Sequence, residues 1–365
     1  MNKTASPAWP DRRILDLFGI ELPIVQAPMA GAQGSDLAIA VSEAGGLGSL
    51  PCAMLSVDQA RTEIDVYQQR TAKPLNVNFF CHVPPEADAA REAAWKKRLN
   101  AYYAEFGIDP ASIPAGPGRA PFDEKFCDLM LEKKPAVLSF HFGLPDKKLL
   151  ARARSSGARI VSSATTVAEA RWLEAEGCDA IIAQGNEAGG HRGIFLGDDI
   201  ASQPGTFALV PQVVDAVKVP VIAAGGISDG RGVAAALMLG AAAAQIGTAY
   251  LLCPESKISA LHRAALQSAR DDRTALTNLF TGRPARGLIN RLMREAGPMN
   301  PAAPEFPLAT GALAPLRAKA EAKGSGDFSP LWAGQAASLA REIPAGELTE
   351  KLAREAAARL RAFGQ

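Results

Sequence analysis

The sequence predicts a (β/α)8, or TIM, barrel with an additional mainly helical region covering the barrel mouth. Two observations support this fold. Short apolar runs alternate with amphipathic segments, and eight such pairs fit within about 270 residues, the usual size of the barrel. Runs this short and this apolar are typical of parallel strands that are buried on both faces. A doubly wound open sheet uses the same alternation and is the alternative.

The predicted elements follow one another in regular order. The strands are residues 24–27, 47–50, 75–79, 136–140, 159–163, 180–184, 219–224 and 243–247. Helices between them are indicated where Ser, Thr or Asp begins an amphipathic run and glycine follows its end. The clearest are the run after Ser35, the run from Ser56 to residue 70, and residues 146–156, 166–176 and 229–239.

Two stretches fall outside the alternation. Residues 80–120 form an insertion after the third strand, with a helical portion at 89–106. Residues 271–365 form a largely helical region rich in Ala, Arg and Glu. Loops of this length are often functional lids. We therefore expect residues 1–270 to form the barrel with its insertion, and residues 271–365 to pack over the active site.

Composition excludes several classes of protein. With 39 Lys+Arg against 38 Asp+Glu, the chain lacks the basic excess of nucleic-acid-binding proteins. The sequence does not open with a charged segment followed by an apolar one, so we expect no secretory signal peptide. The uncharged stretch 232–254 divides better into a helix and a buried strand than into a membrane span. The five cysteines form no closely spaced pair, so we expect a reduced, cytoplasmic protein.

The strongest candidate site is a glycine-rich loop directly after the sixth strand. It reads Gln-Gly-Asn-Glu-Ala-Gly-Gly-His-Arg-Gly from Gln184 to Gly193. In a barrel this loop lies at the C-terminal face, where active sites are found. Its glycines let the backbone approach a flat ligand, and a histidine with a pKa near neutrality can act as a base. We expect His191 to be functional, and Glu187 and Arg192 to shape the loop or to be solvated.

Glycine-containing turns also follow the seventh and eighth strands. They read Ala-Ala-Gly-Gly at 223–226 and Gln-Ile-Gly-Thr at 245–248. Barrels often bind phosphate between these two turns, with backbone N–H groups and a helix N-terminus. Gly225, Gly226 and Gly247 leave room for an anion there, and Thr248 adds a hydroxyl donor. The two turns together predict a site for a phosphorylated cofactor.

Three other strand ends carry candidate residues at the same face. After the first strand, the main chain and Met29 either line one side of a planar ring or form a tight turn with a core methionine. Asn78 can hydrogen-bond the edge of such a ring. His141 is a second inward-facing imidazole, and a structural role for it is nearly as well supported as a substrate contact. His82 and His262 lack a comparable context, which indicates surface or packing roles.

Other chemistries are weakly supported. Gly-Ile-Ser-Asp-Gly at 226–230 matches the nucleophile turn of serine hydrolases, in which an acid and then a histidine follow the serine. After Ser228 the one histidine is His262, and the acids between them are Asp229, inside the turn itself, and Glu255. A role for Ser228 as the N-cap of the next helix is the simpler interpretation. The sequence has no HExxH motif, no paired cysteines and no Asp-rich loop, so we expect no metal site.

The combined motifs resemble the nitronate monooxygenase family, formerly called 2-nitropropane dioxygenase. The loop at 184–193 and Ser-Phe-His-Phe-Gly at 139–143 are similar to the class I enzymes in particular. The histidine loop is the specific element, because the first-strand and Gly-Gly-Ile motifs recur in related flavin barrels. The remaining matching stretches are 26–31, 76–80, 223–227, 245–251 and 331–335.

The resemblance implies an FMN-containing barrel that oxidises alkyl nitronates, such as propionate 3-nitronate, with O₂ to a carbonyl compound and nitrite or nitrate. It implies that His191 is the catalytic base, that nitronate or nitroalkane and O₂ are the partners, and it leaves a homodimer open. An FMN-dependent enoyl-thioester reductase or NAD(P)H:quinone reductase is the alternative, and a non-catalytic FMN-binding barrel is a third. The implied FMN contacts are Ala27, Pro28, Met29, Asn78, Gln184, Gly189, Gly225, Gly226, Gln245, Ile246, Gly247 and Thr248.

Overall fold

A computed structural model describes residues 9–86, 88–113 and 119–363 of the chain. All eight predicted strands are present, each within three residues of its expected bounds. In chain order the strands are β1 (Ile24–Gln26), β2 (Gly48–Pro51), β3 (Leu75–Phe80), β4 (Val137–His141), β5 (Arg159–Ala164), β6 (Ala180–Gln184), β7 (Gly190–His191), β8 (Val221–Ala224), β9 (Ala243–Ile246), β10 (Thr274–Thr277) and β11 (Ala285–Leu288).

Eight of these strands are parallel and form the barrel in the order β1-β9-β8-β6-β5-β4-β3-β2. The seam between β1 and β2 is closed by backbone hydrogen bonds. The N–H of Gln26 donates to the carbonyl of Leu47, and the N–H of Leu47 donates to that of Ile24, both over 2.9 Å. Because the first strand is bonded on both sides, the sheet closes on itself and the doubly wound alternative is wrong.

The helices alternate with the strands as predicted. They are α1 (Arg13–Phe18), α2 (Ser35–Glu43), α3 (Val57–Arg70), α4 (Ala89–Phe106), α5 (Glu124–Lys133), α6 (Lys147–Arg154), α7 (Val167–Ala175), α8 (Thr206–Ala216), α9 (Gly230–Met238), α10 (Thr248–Leu251), α11 (Ala260–Gln267), α12 (Arg291–Ala296), α13 (Ala309–Ala322) and α14 (Ala345–Phe363). Ser56 caps α3 in a capping box with Gln59, as the sequence indicates.

Two of the predicted N-caps are wrong. Ser35 is the first helical residue of α2, and its N–H donates to Glu63 over 2.7 Å while Gly34 occupies the cap position. Ser228 does not cap α9, because the carboxylate of Asp229 accepts the first free N–H groups of that helix. In both places a carboxylate accepts the free N–H groups at the start of the helix, where the helix dipole also favours negative charge.

The last helix differs from the expectation for residues 271–365. Instead of lying over the mouth, α14 packs between α9 and α2 as the eighth helix of the outer layer. Its Leu348 and Leu352 belong to the main barrel core. The hydroxyl groups of Thr349 and Tyr250 are 2.7 Å apart, and Glu255 accepts the N–H of Ala345 at the start of the helix. The part of residues 271–365 that covers the barrel mouth is therefore an insertion between β9 and the final barrel helix.

The two additions share one apolar core. Helix α4 from the insertion after β3 packs against α13 from the region after β9, around Trp95, Tyr103 and Leu316. The hydroxyl of Tyr103 donates to the carbonyl of Ala312 over 2.8 Å. Segments more than 200 residues apart in sequence thus form a single cap. Residues 114–118 of the insertion lie outside the described residues.

A small antiparallel sheet joins the cap to the barrel. Strands β10 and β11 form a hairpin in the cap, and β7 pairs with β11 so that His191 lies opposite Ala285. The stretch 232–254 contains the predicted helix, α9, and the predicted buried strand, β9, followed by the short helix α10. In the part of the chain that the structure describes, no helix is long and apolar enough to cross a membrane.

Gly48 permits the close approach of β2 to α2. A Cβ at this position would overlap the carbonyl of Ala38 and lie 2.7 Å from the Ser42 hydroxyl. We expect Gly48→Ala to lower the free energy of unfolding by about 1–3 kcal/mol, the usual cost of overpacking. Urea denaturation measures the change. Gly197→Ala is the control, because nothing lies within 4 Å of a Cβ there, and an equal loss in both variants would contradict the prediction.

Candidate active site

A cavity of about 530 Å³ opens at the carboxyl ends of the barrel strands, beneath the cap. This volume is within the range of small-molecule and cofactor sites. The barrel contributes the floor and the cap contributes one wall. The predicted site residues that line the cavity are Ala27, Pro28, Met29, Asn78, His141, Gln184, Gly189, His191, Gly225, Gly226, Gln245, Gly247 and Thr248.

Ile246 is the exception among the predicted cofactor contacts. Its side chain is buried in the barrel core, and its carbonyl accepts the N–H of Ala27 over 2.8 Å. Successive residues of a strand point to opposite faces, so the two neighbours of Ile246 line the cavity and Ile246 does not. The family motif predicts contacts from consecutive residues, whereas a strand directs only alternate side chains toward the cavity.

The two turns after β8 and β9 form a cradle with little side chain in it. Gly225 and Gly226 have φ angles of +119° and +68°, which favour glycine. A Cβ at Gly225 would lie 2.7 Å from the Thr206 hydroxyl. The Thr248 hydroxyl accepts the N–H of Gly334 over 2.9 Å, which leaves its own proton available to a ligand.

Gln245 adds an unsatisfied acceptor to this cavity. Its Oε1 is buried, and among the described residues it has no hydrogen-bond partner. A buried acceptor without a donor costs about 1–3 kcal/mol. A ligand that brings an N–H or O–H to this position would remove that cost.

Glu187 and Arg192 shape the histidine loop. The buried guanidinium of Arg192 donates to the carbonyls of Gln184 over 2.7 Å and of Gly185 over 2.6 Å. Glu187 accepts both the N–H and the hydroxyl of Thr206 over 2.8 Å, and so caps the start of α8. Of the two roles predicted for this pair, the structure supports loop shaping.

Two barrel side chains hold the main chain of His191. Nε2 of Gln184 donates to the His191 carbonyl over 3.0 Å, and its Oε1 accepts the N–H of Gly193 over 2.7 Å. Nε2 of His141 donates to the same carbonyl over 3.1 Å, which places its second nitrogen as acceptor of the Ser163 hydroxyl at 3.0 Å. Both ring nitrogens of His141 are thus engaged, so it is a positioning residue that also lines the cavity.

Aromatic side chains enclose the ring of His191. The ring centroids of Phe306 and Trp332 lie 5.3 and 5.4 Å from it, and that of Phe142 lies at 6.0 Å. Phe142 has a φ of 71°, a strained angle for a large side chain. Nε2 of His191 lies 2.9 Å from the hydroxyl of Thr281.

This enclosure determines the charge of His191. Removal from bulk water lowers the pKa of its ring well below the ordinary value, and the positive charge of Arg119 lowers it further. The prediction of a pKa near neutrality is therefore wrong. The sequence alone does not show that the cap places aromatic side chains around the His191 ring. A neutral imidazole at pH 7 has a lone pair with which it can accept a proton or a hydrogen bond.

Several residues of the site were not predicted. Thr281, Phe306 and Arg119 belong to the cap and have no local motif, whereas Trp332 is within the segment 331–335 that resembles the family. His262 was expected at the surface or in packing contacts, but it lines the cavity, and its Nε2 donates to the carbonyl of Trp332 over 3.1 Å.

Ser228 has no histidine to activate it. It lines the cavity, but across the described ranges no histidine is hydrogen-bonded to it, and the four histidines bond to other groups. The hydrolase alternative lacks its base. The five cysteines are unpaired, and the described residues contain no group of three His, Cys, Asp or Glu placed to hold a metal ion.

Comparison with known proteins agrees with the geometry. The family model described as nitronate monooxygenase matches residues 11–355. The nitronate monooxygenase of Pseudomonas aeruginosa is 46% identical over 352 residues, which cover 94% of this chain and 98% of that protein. The chain belongs to the nitronate monooxygenase family. The nitronate monooxygenase of Paraburkholderia phytofirmans is 45% identical, with 94% of each chain covered.

Solved structures extend the comparison. A nitroalkane oxidase from Streptomyces ansochromogenes superposes with a TM-score of 0.85 at 40% identity, covering 96% of this chain and 99% of that one. FabK from Thermotoga maritima superposes with a TM-score of 0.73 at 30% identity, covering 96% and 98%. As a member of the nitronate monooxygenase family, the chain is an oxidoreductase enzyme.

The buried histidines predict a pH dependence of stability. Burial lowers the pKa of His82, His141, His191 and His262, to about 4 for His141 and His262. The unfolded chain, with histidine pKa values near 6.5, binds these protons first. We expect the free energy of unfolding to be fully retained above pH 6.5 and to fall as the pH drops from there toward 4. The slope approaches about 1.4 kcal/mol per pH unit for each buried histidine.

Urea denaturation between pH 7.5 and 5.5 measures this slope. His262→Gln removes one of the titrating groups and should flatten the curve relative to the wild type. A free energy of unfolding that stays constant over this range would show that the histidines titrate alike in the folded and unfolded chains.

Proposed function

We propose that this chain is an FMN-dependent nitronate monooxygenase. It oxidises alkyl nitronates, such as propionate 3-nitronate, with O₂ to a carbonyl compound and nitrite or nitrate. The observation that carries the proposal is a single cavity with a neutral histidine on one side and a two-turn glycine cradle on another, in a chain of this family. A phosphorylated cofactor and a substrate that meets His191 can occupy that cavity together.

The residues present fit FMN. Gly225, Gly226 and the hydroxyl of Thr248 would hold the phosphate, where added Cβ atoms would leave less room. The main chain of 27–29 would face the flavin ring, and the unpaired Oε1 of Gln245 would accept a ring N–H. When bound, FMN accepts electrons from the nitronate and passes them to O₂.

Positive charge in the cavity supports an anionic substrate. Arg119 lines the cavity with its guanidinium carbon 5.5 Å from the centre of the Phe306 ring, and burial lowers the pKa of this guanidinium. Arg283 stacks on Phe142 with 4.0 Å from its guanidinium carbon to the ring centre, and its Nε has no hydrogen-bond partner among the described residues. Arg283 lies outside the lining of the cavity, whereas Arg119 is a cation of the cavity wall that attracts an anion such as a nitronate.

His191 has two tasks that depend on the substrate form. With a nitronate already formed, its ring orients the anion against the cofactor. With a neutral nitroalkane, it takes the α-proton, and the electron pair of the broken C–H bond passes to the nitro group. The hydrogen bonds that His141 and Gln184 donate to the carbonyl of His191 hold its main chain while the proton moves.

Cytoplasmic location and a homodimer stay predictions. The five unpaired cysteines support a reducing compartment. The family resemblance supports a role in detoxifying nitronates.

The phosphate cradle can be tested by substitution. Gly226→Asp would place a carboxylate against the phosphate, so we expect the purified variant to lose its FMN and its yellow colour. The control is Gly324→Asp. Gly324 also has a positive φ, of +77°, but nothing lies within 4 Å of a Cβ there and it is not part of the cavity. Absorbance at visible wavelengths measures occupancy. Full FMN occupancy in the Gly226 variant would refute this placement.

The reaction is distinguished from that of a reductase by the electron donor. We expect anaerobic mixing with propionate 3-nitronate to bleach the flavin, and mixing with NADH or NADPH to leave it oxidised for much longer. The similarity to FabK makes this comparison necessary. Fast bleaching by NADH with no response to nitronate would assign the chain to the reductases instead.

The base role of His191 predicts a difference between two substrate forms. His191→Asn should keep its FMN and lose about 10²–10⁴-fold in kcat/KM on a neutral nitroalkane, the usual contribution of a general base. On a preformed nitronate the loss should be much smaller, because no α-proton remains to be removed. Wild-type kcat/KM on nitroalkane should persist as the pH falls through 6.5, since the pKa of His191 is lowered. Equal losses on both forms would show that His191 is not the base.

A further inference from the structure

The two ring nitrogens of His191 have different surroundings. Nε2 lies 2.9 Å from the hydroxyl of Thr281 in the cap. Nδ1 has no hydrogen-bond partner among the described residues and retains accessible surface in the cavity that His191 lines. One nitrogen is therefore fixed by the protein, and the other meets the substrate.

The direction of the Thr281 hydrogen bond determines which nitrogen carries the proton. Thr281 is buried, and the one other acceptor for its hydroxyl within the described ranges is the carbonyl of Arg283, at 3.5 Å. A hydroxyl has one proton to donate and two lone pairs that accept. If it donates to the carbonyl, its lone pair faces His191 and Nε2 must supply the N–H. The lone pair of the neutral ring is then on Nδ1, toward the cavity.

We propose that Thr281 is a positioning residue that fixes His191 in the Nε2–H tautomer, so that Nδ1 takes the α-proton of a neutral nitroalkane. This rests on the proposed role of His191 as the base. In the step, an Nδ1–H bond forms as the Cα–H bond breaks, and the electron pair of that bond moves onto the nitro group. The products are a nitronate and an imidazolium whose Nε2–H still donates to Thr281.

The turn that carries Thr281 is firmly placed. It lies between β10 and β11, and the following residue, Gly282, has a φ of +90°. A Cβ at Gly282 would overlap the carbonyl of Pro304, so the turn packs directly against the next cap segment. The tautomer of His191 is therefore set by the cap and not by the barrel loop that carries the histidine.

Substitution of Thr281 tests the proposal by activity. Thr281→Val removes the hydroxyl but keeps the shape, and we expect kcat/KM on a neutral nitroalkane to fall roughly 2- to 12-fold, the worth of one hydrogen bond. On a preformed nitronate the loss should be smaller, because no α-proton is removed there, and Thr281→Ser should restore the nitroalkane rate. Thr310→Val is the matched control, because Thr310 bonds to the carbonyl of Phe280 in the same cap and does not contact His191. Wild-type nitroalkane turnover in Thr281→Val would overturn the proposal.

A spectroscopic measurement separates this proposal from the base assignment. The chain has 4 histidines, so ¹⁵N-histidine labelling with His191→Asn for assignment resolves the His191 ring. We expect a protonated Nε2 and an unprotonated Nδ1 in the wild type, with a mixture of tautomers in Thr281→Val. A protonated Nδ1 in the wild type would overturn the role of Thr281. Full nitroalkane turnover in His191→Asn would instead show that His191 is not the base. The wild-type spectrum would still show which ring nitrogen carries the proton.

Discussion

The site depends on the carbonyl oxygen of His191, which accepts hydrogen bonds from His141 over 3.1 Å and from Gln184 over 3.0 Å. Both donors belong to barrel strands, and the histidine itself belongs to a glycine-rich loop with little rigidity of its own. These two bonds, together with the pairing of β7 and β11, attach the loop to the barrel on one side and to the cap on the other. The position of the imidazole in the cavity follows from this double attachment.

The cap supplies what the barrel lacks. Phe306 and Trp332 close over the imidazole and keep it neutral, while Thr281 holds one of its nitrogens. Arg119 brings positive charge to the same wall. A neutral imidazole beside a cation fits the proposed reaction, because the cation would stabilise negative charge on the substrate while the imidazole keeps a lone pair for a proton. The barrel thus positions the main chain of His191, and the cap surrounds its ring.

The closing segment 331–335 connects the two halves of the cavity. The N–H of Gly334 donates to the Thr248 hydroxyl in the turn after β9, and the N–H of Gln335 donates to the carbonyl of Glu187 in the histidine loop. Trp332 from the same segment packs on the His191 ring. Five consecutive residues of the cap thus contact both the turn after β9 and the histidine loop after β6.

The sequence by itself determined the strands, most helix caps, and the loops that end at the cavity, because these depend on local periodicity and on glycine, serine and aspartate at element ends. It also placed His191, Gln184 and the two glycine turns correctly at one face, since all parallel strands of a barrel end there. Only the tertiary structure decided that α14 completes the barrel, that Ile246 points into the core, and that the pKa of His191 is low. Those outcomes arise from contacts between segments far apart in the chain, such as Thr281 and His191, for which no local pattern exists.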